Sequence, residues 1–358
     1  MQYLLLVSLT LSILFILSIT TNCQLESDSL DVEIKQREYK IETSIEFASS
    51  VRALDVVNDT TIAFSGYGGF IGFTNSSGEG WDTTRVNIDD RNPAFRACAV
   101  VEEHLLIASI ESPGLILIAP LNDLNDFEVK YRNDDPAVFL DAMTFSNKGF
   151  GVVMGDPTEG CLTILISNDN GNSWVRVPCK SIPEIIEGEA AFAASNGNIS
   201  IVGDEIWITT GGKASRVFHS PDRGVNWDVQ STPLVQGGAM TGAFAISFNS
   251  ENEGLLIGGD WENKQLNKGN IAHTEDGGKN WGLVSEGEGP GYRSSIIWRP
   301  QTNSECIAIG SEGIDISNDS GASWINISKE GFYTGRFTPN GKTLWLAGHG
   351  SVSKIEFE

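Results

Sequence analysis

Arginine and carboxylate residues recur at the start of apolar, strand-like stretches, and these residue types can recognise or transform a charged group. They are Arg52 in "SVRAL", Arg96 in "AFRAC", Asp141 in "FLDAM", Glu189 in "EGEAAF" and Arg293 in "GYRSS". Arginine binds carboxylates through planar, bidentate hydrogen bonds, and pairs of carboxylates hydrolyse glycosidic bonds. The sequence therefore indicates two chemistries, anion binding and glycoside hydrolysis.

Gly-containing turns add polar residues that we expect near the same place. They are "MGDPTEG" with Asp156, "TTGGKASR" with Lys213 and Arg216, and "GGDWENK" with Asp260 and Trp261. Glycine in such turns lets the backbone approach a ligand closely. The candidate ligand-binding residues are Arg52, Arg96, Arg216, Arg293, Tyr292 and Asp260. The candidate catalytic residues are Asp141, Asp156 and Glu189. Alternatively, these arginines and carboxylates pair with one another and fill the centre of the fold.

A motif of the form Ser/Thr-x-Asp-x-Gly-x-x-Trp occurs four times and suggests which elements position these residues. The copies are "SNDNGNSW", "SPDRGVNW", "TEDGGKNW" and "SNDSGASW", with Asp169 and Trp174, Asp222 and Trp227, Asp276 and Trp281, and Asp319 and Trp324. A weaker copy, "TNSSGEGW", has Ser76 in place of the aspartate. A period of about 40–55 residues is typical of propeller blades.

The residue types of this motif suit a tight turn between the third and fourth strands of a blade. The aspartate can accept backbone N–H groups of its own loop, the glycine can adopt positive φ, and the tryptophan packs beneath the turn. These Asp boxes therefore predict the fold and not the activity.

We predict an all-β, seven-bladed β-propeller over residues 38–358. The blades would begin near Val51, Phe95, Phe139, Ala190, Gly242, Tyr292 and Phe332. The last blade lacks a fourth strand, and we expect Glu38–Ile45 to supply it and close the ring. In this arrangement the Asp boxes lie on one face, and the candidate site residues lie on the opposite face.

The N-terminal segment and the charge limit the environment and the partners. Residues 3–20 are apolar and uncharged, and residues 1–23 are predicted to be a secretory signal, or a lipoprotein signal ending at Cys23, with residues 24–37 as a linker. An uncleaved anchor remains an alternative, so the only predicted membrane tether is N-terminal. The net charge of −23, from 24 basic and 47 acidic residues, argues against nucleic acid as a partner.

The cysteines predict one disulfide. Cys161 and Cys179 bracket the hairpin "CLTILISNDNGNSWVRVPC" and would lie nearly opposite each other, within reach of a bond that export permits. Cys98 and Cys306 are expected to be free and buried. The sequence has no zinc signature, and we predict neither a metal nor a cofactor.

Several longer motifs, "EGEAAFAASNG", "IWITTGGKASRVFHS" and "GIDISNDSGASW" among them, resemble the photosystem II stability/assembly factor-like propellers. They are most similar to the non-photosynthetic branch that is often labelled "oxidoreductase". The resemblance implies a seven-bladed Asp-box (BNR-repeat) propeller and a non-catalytic assembly factor that holds a partner protein on an Arg-bearing face. The sequence gives no sign of a photosynthetic context, nor of a dinucleotide motif or redox cysteine pair.

Three functions remain open from the sequence. The favoured one is an exported, non-catalytic propeller that binds a protein partner or an anionic or carbohydrate ligand on the face opposite the Asp boxes. The alternative is a sialidase-like or glucanase-like glycoside hydrolase that uses carboxylates at the channel mouth. The third is an extracellular, sortilin-like scaffold that binds through its blade edges. Secretion, the periplasm and the outer cell surface are the expected locations.

Overall fold

The computed structural model of the protein describes residues 39–358. The predicted signal of residues 1–23 with Cys23, the linker of residues 24–37, and Glu38 lie outside these residues. In the described part, the regular structure is twenty-nine strands and one short 3-10 helix, Cys179–Ser181. This part of the chain is therefore all-β. It contains no helix that is long and apolar enough to cross a membrane.

Successive strands pair antiparallel in four-stranded units, which we letter in chain order. Unit A contains the second part of β1 (Ile41–Val56) with β2 (Ile62–Gly66), β3 (Phe70–Thr74) and β4 (Asp82–Arg85). Unit B contains β5 (Phe95–Val101), β6 (His104–Ser109), β7 (Gly114–Pro120) and β8 (Glu128–Asn133). Unit C contains β9 (Leu140–Phe145), β10 (Gly151–Thr158), β11 (Cys161–Ser167) and β12 (Val175–Arg176).

The remaining units follow the same pattern. Strand β13 (Glu189–Ala190) precedes unit D, which contains β14 (Ile199–Val202), β15 (Glu205–Thr209), β17 (Arg216–Ser220) and β18 (Asp228–Ser231). Strand β16 (Gly211–Gly212) lies between β15 and β17 and pairs with β13. Unit E contains β19 (Thr241–Phe248), β20 (Gly254–Asp260), β21 (Ile271–Thr274) and β22 (Gly282–Leu283). Unit F contains β23 (Ser295–Trp298), β24 (Cys306–Gly310), β25 (Gly313–Ser317) and β26 (Ile325–Ser328).

The long strand β1 changes its pairing partner along its length. Unit G contains β27 (Thr334–Phe337), β28 (Thr343–Ala347) and β29 (His349–Glu356), and residues 41–50 of β1 pair with β29. Residues 51–56 of β1 pair with β2 instead. Strand β1 is therefore both the fourth strand of unit G and the first strand of unit A. This pairing covers the edge of β29, which would otherwise expose unpaired backbone groups.

Turns at the two ends of the units define two faces of the structure. In an antiparallel meander, the first-to-second and third-to-fourth turns lie at one end of the strands. The second-to-third turns and the unit-to-unit connections lie at the other end. We call the first end the box face, because the repeated Asp motif lies there, and the second end the connection face.

The repeated motif forms the turn between the third and fourth strands of units C to F. In unit F, Oδ1 of Asp319 accepts the backbone N–H of Ser323 at 2.8 Å, and Gly321 has a φ of 84°. The indole Nε1 of Trp324 donates to the carbonyl oxygen of Gly321 at 3.0 Å. The same aspartate contact to the residue four positions later recurs at Asp169, Asp222 and Asp276. In unit A, the hydroxyl of Ser76 takes the place of that carboxylate.

The hydrophobic core lies between neighbouring units. In one cluster, Phe150 and Ile164 of unit C pack with Ile206 and Phe218 of unit D, and the ring of Trp227 covers them. Middle strands such as β2, β3 and β11 are buried along their whole length. Their sequences are continuous apolar or small-residue runs because both faces of these strands meet another unit.

One predicted strand boundary is wrong. The fourth blade was expected to begin near Ala190, whereas the first strand of unit D begins at Ile199. Residues 191–198 contain no strand. Nearby, Cys161 at the start of β11 is bonded to Cys179 of the 3-10 helix, with their Cα atoms 5.5 Å apart. Cys98 and Cys306 are free and buried.

Candidate functional site

Residues 190–198 lie among the first strands of the other units, and we call them the axial segment. Residues 191–196 are all buried. The segment forms hydrogen bonds with the first strands, or the residue just before them, of six other units. Its partners are Arg52 of unit A, Arg96 and Cys98 of unit B, Met143 of unit C, Ile246 of unit E, Ser294 before unit F, and Thr334 and Arg336 of unit G. The first strands of the units therefore converge on this one segment.

Asn196 is the residue of the axial segment with the most connections. Its Nδ2 donates to the carbonyl oxygen of Cys98 at 2.9 Å, and its Oδ1 accepts the backbone N–H of Met143 at 2.7 Å. Its own carbonyl oxygen accepts Nη2 of Arg336 at 2.9 Å. Asn196 has a φ of 57°, a left-handed conformation that asparagine tolerates better than most residues. One side chain thus joins units B and C, and its backbone joins unit G.

Arg52 and Arg96 lie at the connection-face side of the axial segment. Nη1 of Arg52 donates to the carbonyl oxygen of Ala194 at 3.3 Å, and its guanidinium lies 3.9 Å from the ring centroid of Tyr333. Nη1 of Arg96 donates to the carbonyl oxygen of Ala193 at 3.2 Å. Burial lowers the pKa of Arg96, the charge of Arg52 lowers it further, and Asp141 opposes both effects. The two guanidinium groups are therefore close enough to repel each other.

Neither of these arginines has a carboxylate partner in the described part of the chain. No carboxylate oxygen lies within the 4.0 Å of an ion pair from either guanidinium, and both hydrogen bonds go to neutral backbone carbonyls. Each side chain has five N–H donors. One N–H donor of each arginine has a hydrogen-bond partner in the described chain, and Asp141 offsets part of the positive charge of Arg96.

Asp141 is fully buried beside Arg96 and Asp156. Neither of its carboxylate oxygens has a well-formed hydrogen bond. Burial raises the pKa of Asp141 well above its usual value, and the charge of Asp156 raises it further. Arg96 and the backbone N–H groups of Asp156 and Ala193 offset the rise only in part. Asp156 itself accepts the backbone N–H of Ala191 at 2.9 Å, and so holds the start of the axial segment.

Glu189 and Arg216 form a closed, buried ion pair. Nη2 of Arg216 lies 2.5 Å from Oε2 of Glu189, and its Nε donates to both carboxylate oxygens at 3.1 Å. Thr210 donates a further hydrogen bond to Glu189, and Arg216 also donates to the carbonyl oxygen of Glu184. Both charges are satisfied within the protein, so this pair connects β13 and the chain just before it to unit D.

Arg293 and Asp315 form a second closed ion pair in unit F. Nη2 of Arg293 lies 2.6 Å from Oδ2 of Asp315, and Asn326 donates to Oδ1 of the same carboxylate at 3.0 Å. Tyr292, the neighbour of Arg293, is only 3% exposed and packs edge-on against Phe244. Burial raises the pKa of Tyr292. Arg293 and Tyr292 are therefore held in the fold rather than presented to solvent.

A polar cavity of about 520 Å³ lies above this pair, between units E and F. Its lining includes Lys264, Arg293, Lys329 and residues 289–291. Nζ of Lys264 is 3.3 Å from Oε1 of Glu312, in the wall of the same cavity. The predicted ligand residue Asp260 lies outside the cavity lining and accepts backbone N–H groups of its own loop.

Large apolar side chains are exposed on connections of the same face. Tyr67 lies between β2 and β3, Ile186 before β13, and Trp261 and Leu266 between β20 and β21. Their exposed fractions are 65%, 47%, 46% and 49%, in that order. Nζ of Lys264 lies 5.6 Å from the ring centroid of Trp261. Exposed aromatic and apolar residues around a polar centre are typical of protein-binding surfaces.

The predicted site residues therefore separate into three groups. Arg52, Arg96, Asp141 and Asp156 meet around the axial segment, whereas Arg216 and Arg293 belong to two separate ion pairs. Asp141 has no exposed surface and Glu189 is 4% exposed, so a sugar cannot reach either carboxylate in this conformation. In the described residues, no cluster of three or more His, Cys, Asp or Glu side chains is arranged to hold a metal ion.

Sequence reasoning missed the axial segment, Tyr333, Asp315 and Arg336. The segment "AAFAASNGN" has small residues followed by Asn-Gly, which is a turn signal and not a strand signal. That composition indicated that the segment is not a strand. The partners Tyr333, Asp315 and Arg336 carry no such signal, because their role depends on which residues of other units face them.

Comparisons with solved structures identify the class of this fold. A YCF48 "bound to D1 peptide" superposes with a TM-score of 0.65, at 13% identity over 90% of this chain and 97% of that chain. YCF48 from Cyanidioschyzon merolae superposes with a TM-score of 0.60, at 13% identity over 89% of this chain and 98% of that chain. The WD40 β-propeller domain of Doa1 superposes with a TM-score of 0.57, at 14% identity over 89% of this chain and 97% of that chain.

These likenesses, together with the antiparallel four-stranded sheets, show that the chain is a β-propeller. At identities of 13–14% they show the fold alone. No protein-family model and no curated protein sequence matches the chain.

Proposed function

We propose that this protein is a non-catalytic β-propeller that binds a protein partner on its connection face. The observation that carries the proposal is the adjacent pair Arg52 and Arg96, two oriented guanidinium groups without a carboxylate partner in the described chain. A carboxylate of the partner would supply the missing counter-charge through bidentate hydrogen bonds. The exposed Tyr67, Ile186, Trp261 and Leu266 would contact its apolar residues.

The structural neighbours support a protein partner rather than a substrate. One YCF48 structure similar to this chain was solved bound to a D1 peptide. From it we infer only that a propeller of this shape can hold a peptide, because an identity of 13% does not show that two proteins bind the same partner. The proposal therefore names a protein segment with an acidic side chain, and it does not name D1.

We further propose that units A to G are seven blades and that β1 closes their ring. The support is the pairing of β1 with both β29 and β2, and the convergence of the first strands on the axial segment. Closure of this kind gives the two arginines a fixed position at the axis. The Asp boxes would then be the structural turns of one face, opposite the binding surface.

We also propose that the protein is exported. The apolar stretch "YLLLVSLTLSILFILSIT" near the N-terminus supports this location, and so does a disulfide between Cys161 and Cys179, since such bonds persist in oxidising compartments. The search for the partner should therefore begin with exported and surface proteins of the source cell.

Capture of partners with matched variants tests the proposed function. The double variant Arg52→Gln and Arg96→Gln removes both charges. The control variant Arg132→Gln removes an exposed arginine of strand β8, which pairs with Asp89 and Asp134. Wild type and the Arg132 variant should capture the same exported protein, whereas the double variant should bind it at least tenfold more weakly. Loss of two charge-assisted hydrogen bonds of about 1.5–3 kcal/mol each predicts this change.

The melting temperature of each variant separates binding from folding. Equal capture by the double variant and the wild type would overturn the proposal. A screen with chromogenic glycosides is the complementary measurement. Turnover that disappears in an Asp141→Asn or Glu189→Gln variant would favour a hydrolase instead.

A further inference from the structure

A second cavity, of about 650 Å³, lies at the box-face end of the first strands. Its wall comes from residues 54–57, where β1 ends, residues 98–102, where β5 ends, and residues 143–149, which include the end of β9 and the turn after it. Asn196 and Arg336 also line it. The axial segment therefore separates this cavity from Arg52 and Arg96. A volume of a few hundred Å³ suits a small molecule.

Asp55 brings a negative charge to this cavity without a positive partner in contact. Its Oδ1 accepts the backbone N–H of Val56 at 3.0 Å, and its Oδ2 accepts the backbone N–H of Val100 at 2.6 Å. In the described chain, no Lys or Arg nitrogen lies within 4.0 Å of it. Burial raises the pKa of Asp55, and the hydrogen bond from Val100 and the charge of Arg336 offset only part of this rise. The carboxylate is thus oriented by the backbone, with lone pairs left over.

Arg336 brings a positive charge to the same cavity and donates only to neutral oxygens. Nη1 donates to Thr334 Oγ1 at 3.3 Å and to the carbonyl oxygen of Gly335 at 2.8 Å, and Nη2 donates to Asn196 as described. Burial lowers the pKa of Arg336, and the charge of Asp55 opposes this effect. Asp55 and Arg336 therefore influence each other through space, but they are too far apart to form an ion pair.

We propose that this cavity binds a small zwitterion with an ammonium and a carboxylate group close together, the class that includes the free α-amino acids. The ammonium would bind Asp55 and the carboxylate would bind Arg336, so that each charge gains the partner it lacks. A simple anion would leave Asp55 unpaired, and a simple cation would leave Arg336 unpaired. A zwitterion satisfies both charges at once.

Three probes of similar size test the charge requirement on the wild-type protein. They are alanine, N-acetylalanine, which lacks the ammonium, and alaninamide, which lacks the carboxylate. Calorimetry and thermal-shift assays measure the binding of these probes, and then the binding of all twenty free amino acids at millimolar concentration. At least one free amino acid should bind and raise the melting temperature, and its N-acetyl and amide derivatives should bind at least tenfold more weakly.

Variants assign the binding to this cavity. Asp55→Asn and Arg336→Gln should each weaken the binding of the amino acid at least tenfold. The matched control Arg132→Gln, which removes an exposed arginine of strand β8 that does not line this cavity, should bind the amino acid normally. The proposal is overturned if none of the twenty amino acids binds the wild type, or if a singly charged derivative binds equally well. Because that comparison needs only the wild type, it holds even if an Asp55 variant folds poorly.

Discussion

Two buried carboxylates illustrate how one residue type takes opposite roles at the residue scale. Glu189 has a guanidinium and a hydroxyl as partners, and it ties two parts of the chain together. Asp141 is buried just as deeply and has no well-formed hydrogen bond. A buried carboxyl group without a partner destabilises the folded state when it is ionised, and it does so less when it is protonated.

The Asp141→Asn variant should be more stable than the wild type at neutral pH. Because the folded-state pKa of Asp141 is raised, the folded state binds its proton more tightly than the unfolded state. The stability that this proton contributes is present at low pH and is lost as the pH rises above the usual value of 3.8. The neutral amide avoids this loss, and we expect a gain of about 1–3 kcal/mol at pH 7.

Urea unfolding of the wild type and the variant from pH 4 to pH 8 measures this effect. The difference between the two proteins should shrink toward pH 4, because Asp141 is protonated in the folded state there and the ionised fraction of the unfolded state falls as the pH approaches 3.8. As a matched control, Asp123→Asn changes an exposed loop aspartate and should show no such trend. A constant difference at all pH values would show that Asp141 does not ionise in this range.

The axial segment is the element on which the candidate site depends. Arg52 and Arg96 are held by its carbonyl oxygens, and Asn196 connects it to units B, C and G. Phe192 of the segment also stacks on Phe244, with ring centroids 4.1 Å apart. A segment without regular structure is thus fixed by contacts to several units, and its residue Asn196 lines the cavity that contains Asp55 and Arg336.

The Asn196→Ala variant should lower the free energy of unfolding by about 2–4 kcal/mol. The change leaves a buried carbonyl of Cys98 and a buried N–H of Met143 without partners, and each costs about 1–3 kcal/mol. The measurement is urea unfolding, with the exposed Asn122→Ala as the control. Equal midpoints for the two variants would mean that the segment is not fixed by this side chain.

The pairing of β1 is the feature that matters at the scale of the whole molecule. Residues 41–50 lie on the edge of unit G, and residues 51–56 form the first strand of unit A. Ile41 and Ile45 pack on the cores of units G and A. The strand therefore links the beginning and the end of the described chain.

Two truncations test whether this link holds the molecule together. A chain that begins at Tyr39 retains all of β1, whereas a chain that begins at Phe47 loses its first six residues and exposes the edge of β29. We expect the first to melt like the full chain and the second to melt lower by at least 5 °C and to self-associate, since an open strand edge promotes pairing between chains. Size-exclusion chromatography and calorimetry provide the readout, and identical behaviour of the two would contradict closure by β1.

The sequence alone determined the all-β character and the positions of the repeated turns. This was possible because alternation, turn residues and repeat length are local properties. It also placed Arg52, Arg96, Asp141 and Asp156 in the same region, because blade geometry fixes where strands start. Only the tertiary structure decided which arginines are neutralised, since Asp315 reaches Arg293, and Glu189 reaches Arg216, across separate strands. The course of the axial segment was decided in the same way, because its buried polar groups find partners only where six other units meet.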